Sequence, residues 1–134
     1  MLVEDRPEDV ELTLRAFKLA HLTNEIVVKN DGVEALEFLR RAEAPALMLI
    51  DVNIPRMDGI ELLAHARAIE HLRFVPAIML TVSHEEHDLI ASYDRGANSY
   101  VRKPVTSADF SDLIGRLGTY WIDMNQLPAR HPAP

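Results

Sequence analysis

Residues 46–50, Ala-Leu-Met-Leu-Ile, form an apolar run without polar alternation, and the run stops at Asp51. A strand with one wet face would alternate, so this run suits a strand covered by helices on both sides, as in a parallel sheet. Val75 to Leu80 repeats the pattern and ends at Thr81-Val82-Ser83. Leu2-Val3 reads as a strand end before Glu4-Asp5, Glu25 to Val28 as a second strand, and Ser99 to Arg102 as a short last strand before Lys103-Pro104. Helix-like stretches separate them. One starts at Pro7-Glu8-Asp9, with proline early and acids in the first turn, and places Val10, Leu14 and Phe17 on one face with Thr13 between them. Others run from Val33 to about Arg41 after an Asn30-Asp31-Gly32 turn, from Ile60 to Ile69 with Leu63 and Ala66 inward, and from His84 to about Arg95. The last begins at Ser107. Five strand-helix repeats imply an α/β fold with a doubly wound, five-stranded parallel sheet.

Such a sheet binds ligands beyond the carboxyl ends of its strands. Glu4, Asp5, Asp51, Thr81 and Lys103 all fall on that edge. Three carboxylates in one pocket would repel one another unless a cation held them ionised, and hard oxygen donors suit Mg²⁺, with Mn²⁺ as an alternative, better than zinc. Asp5 and Asp51 are expected as direct ligands, Glu4 through water, and Asn53 through its backbone carbonyl. An acid at position 5 also suits a helix cap. Asp51 is a competent nucleophile toward phosphorus once oriented by a metal, Lys103 is a compact cation for a phosphoryl oxygen, and the Thr81 hydroxyl is a donor to another. A cis Lys103-Pro104 bond would aim the lysine inward. Tyr100 reads as core or rim, its hydroxyl able to respond to movement of Thr81.

The 134 residues allow one domain with a real core, expected over residues 1–127, with 128–134 as a loose tail. A hydrophobic fraction of 48% and a charged fraction of 26% are those of an ordinary globular chain. The net charge of -7 argues against nucleic-acid binding. No cysteine is present, which rules out disulfides and thiolate chemistry, and no apolar stretch approaches the ~20 residues of a membrane span. A cytoplasmic location is the expectation. His84 and His87, beside Glu85, Glu86 and Asp88, read as a solvated helix face. Neither a G-x-x-x-x-G-K phosphate loop nor a G-x-S-x-G elbow occurs.

Val3-Glu4-Asp5, Asn30 to Leu36, Leu49-Ile50-Asp51, Pro55-Arg56-Met57-Asp58-Gly59, Leu80-Thr81, Gly96-Ala97 and Tyr100 to Pro104 together resemble a two-component response regulator receiver domain. Glu4 to Phe17, Tyr93 to Asn98 and Tyr120-Trp121 resemble, more narrowly, the stand-alone regulators that accompany bacterial phytochrome histidine kinases. The resemblance implies a flavodoxin-like sheet of order 2-1-3-4-5 and phosphorylation of Asp51 by a sensor histidine kinase. It also implies a Mg²⁺ site at Glu4 and Asp5, phosphoryl contacts from Thr81 and Lys103, and a switch made of Thr81 and Tyr100. Such a protein is a phosphoacceptor with intrinsic phosphotransfer and dephosphorylation activity and not an enzyme in its own right.

Two rivals stand beside this reading. A haloacid-dehalogenase-type phosphatase needs an acid two positions after its nucleophile, where this chain has Asn53. A receiver-like adaptor without phosphorylation would not need its acid pair, Asp51 and Lys103. Val82 stands where the family usually has a smaller residue, so it is expected to crowd the phosphoryl pocket. The chain starts three residues before Glu4, fewer than usual, and a shortened central strand would cost stability unless the natural start lies upstream. Phe110, Leu113, Ile114, Leu117, Trp121 and Met124 follow helical spacing toward Gln126. A helix that long would overhang the sheet by its ~1.5 Å rise per residue, which points to a homodimer formed with the fourth-helix, fifth-strand, fifth-helix face, with packing of Trp121 back on the parent domain as the alternative.

Overall fold

A computed structural model describes residues 1–128, so the expected tail lies, apart from Pro128, outside the described residues. The strands are β1 (Leu2–Val3), β2 (Val28–Lys29), β3 (Met48–Asp51), β4 (Ala77–Thr81) and β5 (Ser99–Arg102). The helices are α1 (Pro7–Leu19), α2 (Gly32–Arg41), α3 (Gly59–Arg67), α4 (Glu86–Asp94) and α5 (Ser107–Gly118). All strands are parallel, in the order β2-β1-β3-β4-β5.

The unbroken apolar run in β3 divides by the two-residue period of a strand. Met48 and Ile50 join Val3, Leu36, Leu62 and Met79 on the α2–α3 face, while Leu49 joins Leu2, Phe17, Ile78 and Ile114 on the α1–α5 face. Both faces are dry, so neither can be polar. Asp31, Asp58 and Thr106 cap α2, α3 and α5 by accepting the N–H groups of Glu34, Glu61 and Asp109 at 2.8, 2.8 and 3.2 Å. Gly59 lets the start of α3 press on the end of β3, because a Cβ there would sit 2.2 Å from the Asp51 carbonyl oxygen.

Several elements differ from the sequence reading. β2 starts three residues later than expected, because its ladder pairs only with Leu2 and Val3. In α1 the buried positions are Thr13, Ala16 and Phe17, with Leu14 turned outward. α4 begins at Glu86 and not His84, since the Ser83 hydroxyl accepts the Glu85 N–H at 3.1 Å and turns the chain first. The last helix is not one straight rod. After Gly118 it widens into a π-helical turn, Thr119–Met124, which shifts the helical phase and packs Trp121 and Ile122 onto the α1–α5 core. Tyr120 and Met124 remain exposed. The C-terminal segment therefore returns to its own domain more than the overhang reading expects.

Candidate functional site

Sheet register gathers the site. Val3 pairs with Ile50, so Glu4 and Asp51, the residues that follow, emerge side by side from β1 and β3. Leu80 lies opposite Asp51, and Arg102 opposite Thr81, so Thr81 and Lys103 leave the same edge. The Lys103 N–H donates to the Thr81 carbonyl at 2.8 Å, and the Asn30 side chain donates to the Glu4 carbonyl at 3.1 Å. These bonds fix the backbone from which the charged side chains converge. The Lys103–Pro104 bond is trans, so the inward aim of the lysine needs no cis bond.

Lys103 is the hub. Its Nζ donates to Asp9 Oδ2 at 2.8 Å, to Asp51 Oδ2 at 2.8 Å and to Glu4 Oε1. Glu4 Oε2 accepts the N–H groups of Asp5 and Arg6 at 3.0 and 3.3 Å, and Asp51 Oδ1 accepts the Asn53 N–H at 3.1 Å. The side chains of Lys103, Glu4 and Asp51 are all buried. Burial alone would lower the Lys103 pKa, but its bonds to Asp51, Asp9 and Glu4 outweigh that and hold it above its ordinary value. Burial pushes the Glu4 carboxyl up to about 7; the charge of Asp51 adds to the rise and Lys103 opposes it.

Glu4, Asp5 and Asp51 each offer a carboxylate oxygen, all within 4.8 Å of one another. One ammonium does not neutralise three carboxylates and Asp9 besides. The donor set is oxygen alone, which fits Mg²⁺ or Mn²⁺ and does not fit a zinc site. Asn53 is exposed, and its observed contribution is the N–H on Asp51. Thr81 is buried, with its hydroxyl oxygen accepting the Ser83 N–H at 3.0 Å. Tyr100 pairs in register with Met79, two residues before Thr81, so both side chains project from the same face of the sheet. Its hydroxyl is buried with no hydrogen-bond partner among the described residues. Val82, expected to crowd the pocket, is more than half exposed.

His87 lies 3.2 Å from Asp88 on the exposed face of α4, and no metal-holding group forms there among the described residues. A cavity of about 260 Å³ opens at the opposite edge of the sheet, beside Phe17, Val27, Phe38 and Leu47, away from these charges. Asp9 is the site residue that sequence reasoning missed. It read only as an acid favouring the start of α1. The sequence places it in the first turn of α1 after the acid pair, but the docking of α1 on the sheet is what brings its carboxylate to Lys103.

Comparison with known proteins agrees with this geometry. Residues 1–115 match the family model for the response regulator receiver domain. The chain is 33% identical to response regulator Rcp1 of Synechocystis sp., over 96% of this chain and 92% of Rcp1. A structure of Rcp1 in its Mn²⁺-bound form superposes with a TM-score of 0.89 over 96% of each chain. The phosphorylated cyanobacterial phytochrome response regulator RcpA superposes with a TM-score of 0.90, at 31% identity and 96% coverage of both chains. The bacteriophytochrome response regulator AtBRR is 44% identical, with a TM-score of 0.69 over 93% of this chain and 95% of its own. By sequence and by fold, the chain belongs to the response regulator receiver domain family.

Proposed function

We propose that Asp51 accepts a phosphoryl group from the phosphohistidine of a sensor kinase, and that this kinase is of the phytochrome type. One observation carries the reading: a buried carboxylate at the sheet edge shares a lysine with Glu4 and lies within a trio of carboxylates. An Asp51 oxygen attacks phosphorus, an O–P bond forms, the P–N bond breaks, and imidazole leaves with the bonding pair. Asp5 and Asp51 would hold Mg²⁺ or Mn²⁺ directly, with Glu4 through water and the Asn53 carbonyl beside them, and the cation would supply neutralisation of charge on the phosphoryl oxygens. Lys103 and the Thr81 hydroxyl hold two of those oxygens. Rcp1 takes Mn²⁺ and RcpA is phosphorylated, which supports carrying the same chemistry to this chain.

As Thr81 turns toward the phosphoryl group, Tyr100 responds on the same face of β4–β5, and the α4–β5–α5 surface changes population. The unpartnered Tyr100 hydroxyl supports this switch, because its present burial leaves a polar group unsatisfied. Exposed Ile90, Tyr93 and Val105 on that surface support a homodimer, with Tyr120 and Met124 as the contribution of the C-terminal segment. Residues 1–127 act as the unit, since Trp121 and Ile122 pack into the receiver core. The net charge of -7 supports protein partners over nucleic acid. No described helix is long and apolar enough to cross a membrane; a kinase partner that uses ATP would place the protein in the cytoplasm.

The test is Mg²⁺-dependent labelling by a small phosphodonor, read by intact mass. Wild type and Asp58→Asn should gain one phosphoryl mass and Asp51→Asn none. Asp58 is the informative control, because its carboxylate is committed to capping α3. A wild type left unlabelled with Mg²⁺ present would favour the adaptor instead.

A further inference from the structure

Lys103 has three donors and three carboxylate partners, and the partners are not equivalent. Glu4 and Asp51 belong to the trio of closely spaced carboxylates, whereas Asp9 does not. A divalent cation held at that trio would compete with the ammonium for Asp51 directly and for Glu4 through water, and like charge would push Lys103 off them. Asp9 is the partner left over. It comes from another element, the third residue of α1, and is bridged to Lys103 across 94 positions of sequence. Its backbone is already satisfied: the Asp9 N–H donates to the Arg6 carbonyl at 3.1 Å, and its carbonyl accepts the Thr13 hydroxyl at 2.8 Å. The N-cap residue Arg6 makes no side-chain hydrogen bond to α1, and the hydrogen bond of the Asp9 carboxylate is the one to Lys103.

We infer that Asp9 is a positioning residue: it keeps a carboxylate on the Lys103 ammonium when a divalent cation takes Glu4 and Asp51, so that cation binding and lysine placement do not exclude one another. The inference rests on the metal reading above. A merely local role, an acid favouring the positive end of α1, would not depend on Lys103 at all.

Mg²⁺ affinity measured by calorimetry in wild type, Asp9→Asn, Lys103→Met and the double variant separates the two. With Lys103 present, Asp9→Asn should weaken Mg²⁺ at least about fivefold, and in the Lys103→Met background less than about twofold. Asp9→Glu should recover part of the affinity. Equal factors in both backgrounds would overturn the inference, because they would reduce Asp9 to a through-space charge; so would an unchanged affinity in Asp9→Asn. A second measurement needs no change at Lys103. The ¹⁵N signal of its ammonium should persist in wild type saturated with Mg²⁺ and broaden in Asp9→Asn, and the same signal in both proteins would equally overturn the inference. Wild type that fails to bind Mg²⁺ would sink the metal reading itself, and the role of Asp9 with it.

Discussion

Glu4 shares its two oxygens between Lys103 and two backbone N–H groups, with Asp51 close enough to raise its pKa by charge. Its folded pKa of about 7 lies above the ordinary 4.5. Between those values the folded state holds more protons than the unfolded one, so in metal-free protein the stability Glu4 contributes falls as pH rises from 4.5 to about 7. Cation binding has the opposite slope, since it requires the ionised carboxylate. Mg²⁺ affinity is expected to drop about tenfold from pH 8 to pH 6 by this group alone, and Glu4→Gln should flatten the profile while weakening binding throughout. Calorimetry across pH checks this; an unchanged slope in Glu4→Gln would assign the titration elsewhere. Glu4 and Asp51 were legible in the sequence because each ends an apolar run. Asp9 was not, because the reach of a carboxylate from α1 to Lys103 depends on how α1 lies over the sheet.

Among the elements, the connection from α4 to β5 is tied to the end of α3 by the Arg67 side chain. The Arg67 guanidinium, at the end of α3, donates to the carbonyls of Leu72, Val75 and Gly96 and to Asn98 Oδ1, at 2.7 to 3.1 Å. Asn98 Oδ1 also accepts the Ala77 N–H at 2.8 Å, which ties the cage to the start of β4. Gly96 adopts φ +100°, a conformation that L side chains rarely take, and its chain turns directly against the Arg67 side chain. Arg67→Ala should destabilise by roughly 1.5–3 kcal/mol in urea unfolding, as the Leu72 and Val75 carbonyls lose a charged donor. Arg67→Lys should recover little, because an ammonium cannot reproduce the planar fork. A loss under about 0.5 kcal/mol, the range of ordinary surface substitutions, would show that the cage is dispensable. Nothing in the sequence flagged Arg67, since all its partners are backbone groups or Asn98. The π-helical turn was equally hidden: helical spacing in the sequence continues to Met124, while packing on Phe17 and Leu22 beside Gly118 decides where the phase breaks.

At the scale of the whole molecule, one edge of the sheet carries the charge cluster and the α4–β5–α5 side carries exposed apolar residues. Ile90→Glu or Tyr93→Glu should weaken self-association by at least about tenfold, because a carboxylate would be driven into an apolar contact. Labelling of Asp51 by a small phosphodonor should be unaffected. Sedimentation across a concentration series reads the first effect and intact mass the second. A wild type that stays monomeric at high micromolar concentration would remove the dimer.

What the sequence determined by itself was the fold class and the edge on which the candidate site residues fall. Apolar runs too continuous for a half-wet sheet required helices on both faces, and an open parallel sheet puts its strand ends on one edge, which places Glu4, Asp5, Asp51, Thr81 and Lys103 together. What only the tertiary structure decided was how those charges are shared: Lys103 divided among three carboxylates, Asp9 as the third of them, Arg67 closed in a cage of carbonyls, and Trp121 folded back onto its own core. Strand ends follow from local pattern, whereas the partner of a charged side chain is set by helix docking between residues nearly a hundred positions apart.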